Sequence, residues 1–500
     1  MSNSSTPAQT GFVRTFLIEG RARADHEPSY HPCMRMGAPD QSFGDVTKIE
    51  CPDADNYGKF VEVGEIQGAI DRVTTDIQGR FEADKESDLL RLAKARCSLD
   101  AHAHYGACTD PRLFNIFTKA VVYLNARITN WSADELGTLS SDGASEVNET
   151  AALSAESIIE ILPLAFAERG GDAVVNPLVD VVICDTASCG DCDEESDGCQ
   201  QIYAVDDGET GSPGTAPDLV YSLDKGAVWA AEEIDSLASG EPTTGVACID
   251  VYVVVVSNTD GGIHYKEKSL VGDGATLWTR TAVGIVVTGE PNDIWSVGSY
   301  GFIVGDLGYV YGTSDPTVGV TVLDAGIATV QNLAAVHAIS DQFAVAVGAA
   351  GVVIFTENQN TWTAATAIDA GAAGNLCVWV KNEDEWWVGD DAGQLWYTLD
   401  KGVTWTIKAL PGTLWTEIQD IQFPVSTVGY ISADKSATAR GFILESYDGG
   451  YSWSVQPQSG AMPLSDSLVA IATCVHDHNF VVAVGTGDDA ADGIIIVGQD

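Results

Sequence analysis

The chain has 500 residues, 45% of them hydrophobic, with 51 glycines and a formal charge of −47 from 25 Lys plus Arg against 72 Asp plus Glu. A chain of this length exceeds one ordinary core and predicts two or more domains, and its apolar content excludes a disordered polymer. The acid excess excludes a surface for nucleic acid or acidic membranes.

The opening MSNSSTPAQTG has neither a basic start nor an apolar core, so no signal peptide is expected and synthesis is placed in a cytoplasm. In residues 1–178, Tyr57–Phe81 alternates enough for two strands, and Asp84–Cys97 has helical spacing through Leu89, Leu90, Leu92 and Ala93. Lys119–Trp131 reads as a strand, and so does Ser157–Glu168, with Pro163 marking a bulge or an edge. These elements predict a small α+β sandwich or barrel. Asp100, His102 and His104 alternate along one strand face, a metal patch without a fourth ligand, and Cys33 with Cys51 and Cys97 with Cys108 are weak candidate pairs.

At the junction stand Cys184, Cys189, Cys192 and Cys199, spaced C-x4-C-x2-C-x6-C. Four thiols so close suit a tetrahedral zinc site, two disulfides pinning a long loop, or free thiols. Iron–sulfur spacing fits the first three only.

Residues 179–500 carry 9 Lys plus Arg against 45 Asp plus Glu, a net of −36, and residues 1–178 carry 16 against 27, a net of −11. The longest aliphatic run, Val251–Asn258, is strand-sized, so no membrane insertion is expected. Val-Gly closes an apolar run at Val304–Gly305, Val347–Gly348, Val388–Gly389, Val428–Gly429 and Val484–Gly485. A turn motif recurs in phase with it: Ser222, Asp224, Gly226 and Trp229; Thr398, Asp400, Gly402 and Trp405; Ser446, Asp448, Gly450 and Trp453. Thr356–Trp362 is a decayed copy. In a hairpin turn the Asp accepts backbone N–H groups, the Gly takes positive φ, and the Trp buries its ring between sheets. A four-stranded unit repeating at about 40–45 residues predicts a β-propeller of seven blades, or six if the first and last segments share one. The fold class is therefore mainly β, with domains at 1–178 and 179–500.

Other features are weaker. Cys474, His476 and His478 could share a metal; 193–198 and 488–493 have calcium-loop tone without the EF-hand register and read as solvated turns. Trp386 and Trp387, with Trp379 nearby, could line a carbohydrate groove. No phosphate loop, nucleophile elbow or H-E-x-x-H occurs, so no cofactor is expected.

The turn motif resembles the Asp-box (BNR repeat) of sialidases, sortilin-type receptors and photosystem II assembly-factor propellers, where it lies at the blade periphery and is structural. A sialidase needs three clustered arginines, and 179–500 holds only Arg280 and Arg440, so no enzyme is expected. The segment order GAIDRVTTDIQGR, helix, CSLDAHAHYGACTDPRLF, ADELGTLSSDGASEVNETAALSAE resembles the tail tube proteins of long-tailed bacteriophages. That resemblance implies a virion tail subunit, a homo-oligomer in stacked hexameric rings with other virion proteins as partners. DNA would pass without specific binding, and the propeller would be displayed outside. The alternative is a propeller adhesin or assembly factor that binds a host-surface glycan or a protein, with residues 1–178 as its anchor.

Overall fold

Short β-branched and aromatic runs between turn residues pair as antiparallel strands along the computed structural model. Within 1–163 the structure describes the strands given below and little else. Within 164–500 it describes 164–169, 176–184, 199–206, 208, 218–237, 241–257, 262–281, 284–285, 289–368, 374–412, 415–435, 440–447, 449–456, 467–474, 477, 479–487 and 493–499. The chain divides into two units, Met1–Pro163 and Leu164–Asp500.

The first unit contributes β1 (Val13–Glu19), β2 (Ser29–Met36), β3 (Thr47–Pro52), β4 (Phe60–Ile66), β5 (Val73–Glu82), β6 (Leu99–Tyr105), β7 (Lys119–Ala133), β8 (Glu146–Ala155) and β9 (Ser157–Ile161). Seven of them form one sheet in the order β6-β1-β2-β5-β8-β7-β9, and a further β6–β7 pairing returns the ladder on itself; β3 and β4 pair separately. The two strands expected in Tyr57–Phe81 are β4 and β5. The helix expected at 84–97, and Cys97 and Cys108, lie outside the described residues. Cys33 and Cys51 fall on strands of different sheets, and Asp100, His102 and His104 fall on β6.

Ser157–Glu168 is two strands rather than one. Pro163 has no N–H for a ladder, and the chain divides beside it: β10 (Ala165–Arg169) belongs to the second unit. The domain boundary therefore falls at 163/164, ahead of the expected 178/179.

Seven four-stranded antiparallel sheets follow. Blade 1 is β11 (Leu178–Cys184), β12 (Gln201–Asp206), β13 (Asp218–Ser222) and β14 (Ala230–Glu233). Blade 2 is β15 (Thr243–Ile249), β16 (Tyr252–Ser257), β17 (Ile263–Glu267) and β18 (Thr279–Thr281). Blade 3 is β19 (Pro291–Val297), β20 (Tyr300–Gly305), β21 (Tyr309–Thr313) and β22 (Thr321–Ala325). Blade 4 is β23 (Leu333–Ala338), β24 (Ala344–Gly348), β25 (Val353–Thr356) and β26 (Trp362–Ala364). Blade 5 is β27 (Asn375–Val380), β28 (Trp386–Asp390), β29 (Leu395–Thr398) and β30 (Thr406–Lys408). Blade 6 is β31 (Trp415–Val425), β32 (Val428–Lys435), β33 (Arg440–Ser446) and β34 (Ser454–Val455). Blade 7 is β35 (Ser467–Thr473), β36 (Val481–Thr486) and β37 (Gly493–Gln499), completed by β10, which pairs Ala165 with Gln499 through Arg169 with Ile495. Seven blades is thus the count, and the N-terminal strand of the unit supplies the outer strand of the last.

The second strand of a blade is buried on both faces, which explains the continuous aliphatic run in β16. Val253 and Val255 pack toward blade 1, and Val254 and Val256 toward blade 3; all four are fully buried. Each such side chain contributes roughly 1.5–3 kcal/mol. At the seam between blades 7 and 1, Cys199 is bonded to Cys474 with Cα atoms 6.0 Å apart, and Lys225 pairs with Asp477 at 2.6 Å.

A chain beginning at Leu164 is expected to unfold in one cooperative transition. One beginning at Val179 lacks β10 and the buried Phe166 (5% exposed), a loss of about 3–5 kcal/mol from that ring alone. Circular dichroism melts should give the shorter chain a midpoint lower by many degrees; equal midpoints would contradict the role assigned to β10.

Candidate functional site

The axis of the propeller is built by one local device repeated seven times. Near the start of each inner strand the pairing register slips by a residue: at Leu178/Asp180, Thr243/Gly245, Pro291/Asp293, Leu333/Ala335, Asn375/Cys377, Ile418/Asp420 and Leu468/Ala470. Such a bulge bends the strand and re-aims the residue that follows it. It also accounts for most of the Val-Gly repeat. Gly348 lies opposite Leu333 at a bulge, and a Cβ there would sit 2.1 Å from the Asn332 carbonyl oxygen. Gly305 and Gly485 are crowded in the same way. Val428–Gly429 does not belong to this series. It lies at the other end of its strand, opposite Ser446 and against the Phe423 ring, so its spacing is a coincidence of loop lengths.

The residues after the bulges read Asp180, Gly245, Asp293, Ala335, Cys377, Asp420 and Ala470 around the ring. Each Asp accepts one N–H from its own strand and one from the next blade. Asp180 accepts from Val181 at 2.8 Å and Val246 at 2.7 Å, Asp293 from Ile294 at 2.7 Å and Val336 at 2.8 Å, and Asp420 from Ile421 at 2.7 Å and Ile471 at 2.8 Å. In each case the matching position of the next blade is small: Gly245, Ala335 or Ala470. The carboxylate crosses where no large side chain stands. The Cys377 thiol reaches the Ile418 carbonyl at 3.5 Å, a weaker version of the same link.

These strands enclose a cavity of about 310 Å³ on the axis. One wall is aromatic. The His337 ring lies between Trp295 and Trp379, with centroids 4.4 and 4.0 Å away, and the two indoles meet edge to face at 5.6 Å. His337 Nδ1 accepts the Val380 N–H at 3.2 Å, and burial pushes its pKa down to about 3, so the ring is neutral. The three Asp side chains are half-buried and face the cavity. Enclosure pushes Asp293 up to about 7 and Asp420 up to about 6, despite the backbone N–H groups that favour the anion. Asp180 is raised well above the usual range, first by burial and then by repulsion from Asp293.

The cysteine cluster is divided. Cys184 is bonded to Cys248 of blade 2 and Cys199 to Cys474 of blade 7, so neither sulfur is free to hold zinc and neither pairs within the cluster. The reason is topological: β11 delivers Cys184 beside one neighbouring blade, and the chain entering β12 delivers Cys199 beside the other. Cys189 and Cys192 lie outside the described residues. The bond also removes Cys474 from any metal set; His476 and His478, and residues 193–198 and 488–492, lie outside the described residues. No cluster of three or more metal-ligating side chains occurs among the described residues.

The turn motif joins the third and fourth strands of its blades, far from the axis. Ser222 donates to Asp224 at 2.8 Å and accepts the Gly226 N–H at 2.9 Å, while Asp224 accepts the Val228 N–H at 2.8 Å. Thr398, Asp400, Gly402 and Thr404 repeat these bonds. In the third copy Gly450 N–H donates to Ser446 at 2.8 Å; Asp448 lies outside the described residues. Trp229, Trp405 and Trp453 each pack on an apolar cluster between blades. The decayed copy keeps Asn358 in the Asp place, accepting from Thr361 at 2.8 Å. Trp386 and Trp387 are core, at 0% and 1% exposure; Trp379 alone of the three lines the cavity. The new boundary adds Arg169 to Arg280 and Arg440, but these lie on β10, β18 and β33 of three different blades. The axial aspartates went unnoticed in the sequence, although each precedes a β-branched residue in a short apolar run: Asp180–Val181, Asp293–Ile294 and Asp420–Ile421.

No family model and no curated protein matches this chain in sequence. Among solved structures it is similar to YCF48 from Cyanidioschyzon merolae, with a TM-score of 0.50 and 14% identity over 67% of this chain and 99% of that one. YCF48 bound to D1 peptide gives 0.49 and 14% over 68% and 98%, and the WD40 repeats of RRP9 give 0.47 and 12% over 67% and 100%. The first of these likenesses places the second unit in the β-propeller fold.

Raised carboxyl pKa values have a definite sign. The native state holds protons on Asp293 and Asp420 that the unfolded chain, near 3.8, has already lost. Stability therefore falls as pH rises from about 4 through 7. Urea midpoints should be higher at pH 5 than at pH 8, and Asp293→Asn should reduce that difference; an unchanged difference would count against the enclosed carboxyl.

Proposed function

We propose that this chain is a non-catalytic binding protein, an adhesin or assembly factor, whose propeller takes a segment of a partner protein at the mouth of its axial cavity. The carrying observation is the cavity itself, concave and walled by the half-buried Trp295 and Trp379. Aromatic side chains in a concave apolar site are where a guest gains most from leaving water.

A protein segment is favoured over a glycan because the amide side chains of the wall are already engaged. Asn292 donates to Asp306 and to the Leu333 carbonyl, Gln419 to Glu417 and Asp434, and Gln422 bonds Ile471 and Thr473. A hydroxyl-rich guest would find carboxylate acceptors at the axis but few donors for its own oxygens. An apolar patch lies beside the mouth. Leu307, next to the Asp306 that Asn292 contacts, is 47% exposed, and Ile327 and Val330 are 87% and 68% exposed. Leu307 holds φ at 54° as the first central residue of the two-residue hairpin turn between β20 and β21, the place that Ala350 takes in blade 4. The tube-subunit reading of the N-terminal unit rests on segment order alone, and anchoring is the role we give that unit.

Selection of a displayed random-peptide library on the intact protein tests this. Enriched peptides should bind at least tenfold more weakly to Trp379→Ala. Enrichment indifferent to that change would place binding elsewhere, and binding to a glycan array without peptide enrichment would replace the partner class.

A further inference from the structure

Resting on the binding reading, we infer that the axial cavity accepts one cationic side chain, an arginine or lysine presented by the partner segment. The cavity combines an aromatic wall with three carboxyl groups that arrive from blades 1, 3 and 6. Asp293 and Trp295 are two residues apart on β19 and share one face of the strand. A cation seated there meets a carboxylate and an indole together, the pairing that stabilises ammonium and guanidinium groups away from water. Each Asp oxygen accepts a single backbone N–H in the latches between blades, and Asp420 has a further hydrogen bond with the Gln422 side chain. An ionised carboxylate oxygen has a second lone pair, so the latches leave acceptor capacity facing the cavity.

The fold supplies no cation of its own. Among the described residues, none lining the cavity is Lys or Arg. The lysines of the propeller are engaged elsewhere. Lys225 pairs with Asp477, Lys266 with Glu232, and Lys401 with Glu357; Lys381 lies 4.0 Å over the Phe423 ring, and Lys435 lies 3.9 Å over Trp415. With a net of −36 over residues 179–500, the surrounding field draws a cationic segment inward. A guest cation would take the place of the protons that enclosure now keeps on these acids, and would relieve the repulsion between Asp180 and Asp293.

The charge dependence should appear directly. The titratable groups lining the cavity are Asp180, Asp293, Asp420 and Cys377, and His337 packs against the two indoles of its wall. His337 stays neutral and the Cys377 thiol is pushed well up by burial, so between pH 5.5 and 8 the carboxyls are what changes.

The test uses the intact chain labelled with 5-fluorotryptophan, with the Trp295 and Trp379 signals assigned by Trp→Phe substitution. Acetyl-Leu-Arg-Leu-amide is titrated against its citrulline counterpart, which keeps shape and loses charge. The expected result is a saturable shift of those two signals, at least tenfold tighter for arginine at pH 8, weakening several-fold at pH 5.5. Asp293→Asn should weaken it further; if that variant fails to fold, the pH series on the unaltered chain decides alone. Equal affinity for the two peptides, no response at Trp295 and Trp379, or indifference to pH would each overturn the inference. The binding reading fails separately, if library selection yields no peptide that depends on Trp379.

Discussion

Everything at the axis depends on closing the ring between blade 7 and blade 1. Six of the seven junctions join sheets that follow one another in the chain; the seventh must join its two ends. The protein does this three ways at once. β10 leaves the start of the unit to complete the last blade, Cys199 is bonded across 275 residues to Cys474, and Lys225 pairs with Asp477 while lying 5.3 Å from the Phe480 ring centroid. Closure entropy grows only slowly with the length of the loop, so a long-range bond and a paired strand suffice. In the chain-entropy account, a bond across so long a loop stabilises by roughly 5 kcal/mol.

Once closed, the ring compels its inner strands to converge, and the bulges answer that constraint. Each turns one residue toward the neighbouring blade, and where that residue is Asp the neighbour is Gly or Ala. The acids at the axis are thus first a product of packing: a carboxylate can accept two backbone N–H groups at once, whereas an asparagine oxygen would leave its amide facing the second. The charge that remains after this structural use is what gives the cavity its chemistry. The scarcity of lysine acts in the same direction, because the few present are spent on ion pairs and aromatic faces within the blades.

The sequence made legible what is local and repeated. The turn motif and the apolar runs placed every blade, and the buried second strands explain why runs such as Val253–Val256 stand out. What was not legible is what depends on distant residues. Nothing near Ala165–Arg169 announces a partner strand at Ile495–Gln499, so sequence alone places the boundary after this strand. The four clustered cysteines suggested a shared site because they are neighbours in the chain, yet two of them bond to Cys248 and Cys474 on opposite sides of blade 1. The latching aspartates have no motif beyond a following β-branched residue; their meaning lies in a bulge and in the size of a side chain in the next blade. Val428–Gly429 erred the other way, matching the repeat in spacing while occupying a different place on its strand.

Closure at the seam is best tested by hydrogen exchange followed by mass spectrometry, with and without reduction of the disulfides. If the seam holds the ring, reduction should speed exchange first in β10, β35 to β37 and β12, while the second strands of blades 3 to 5 remain protected. Opening that begins in blades 3 to 5, or that spreads evenly over all seven, would contradict the account.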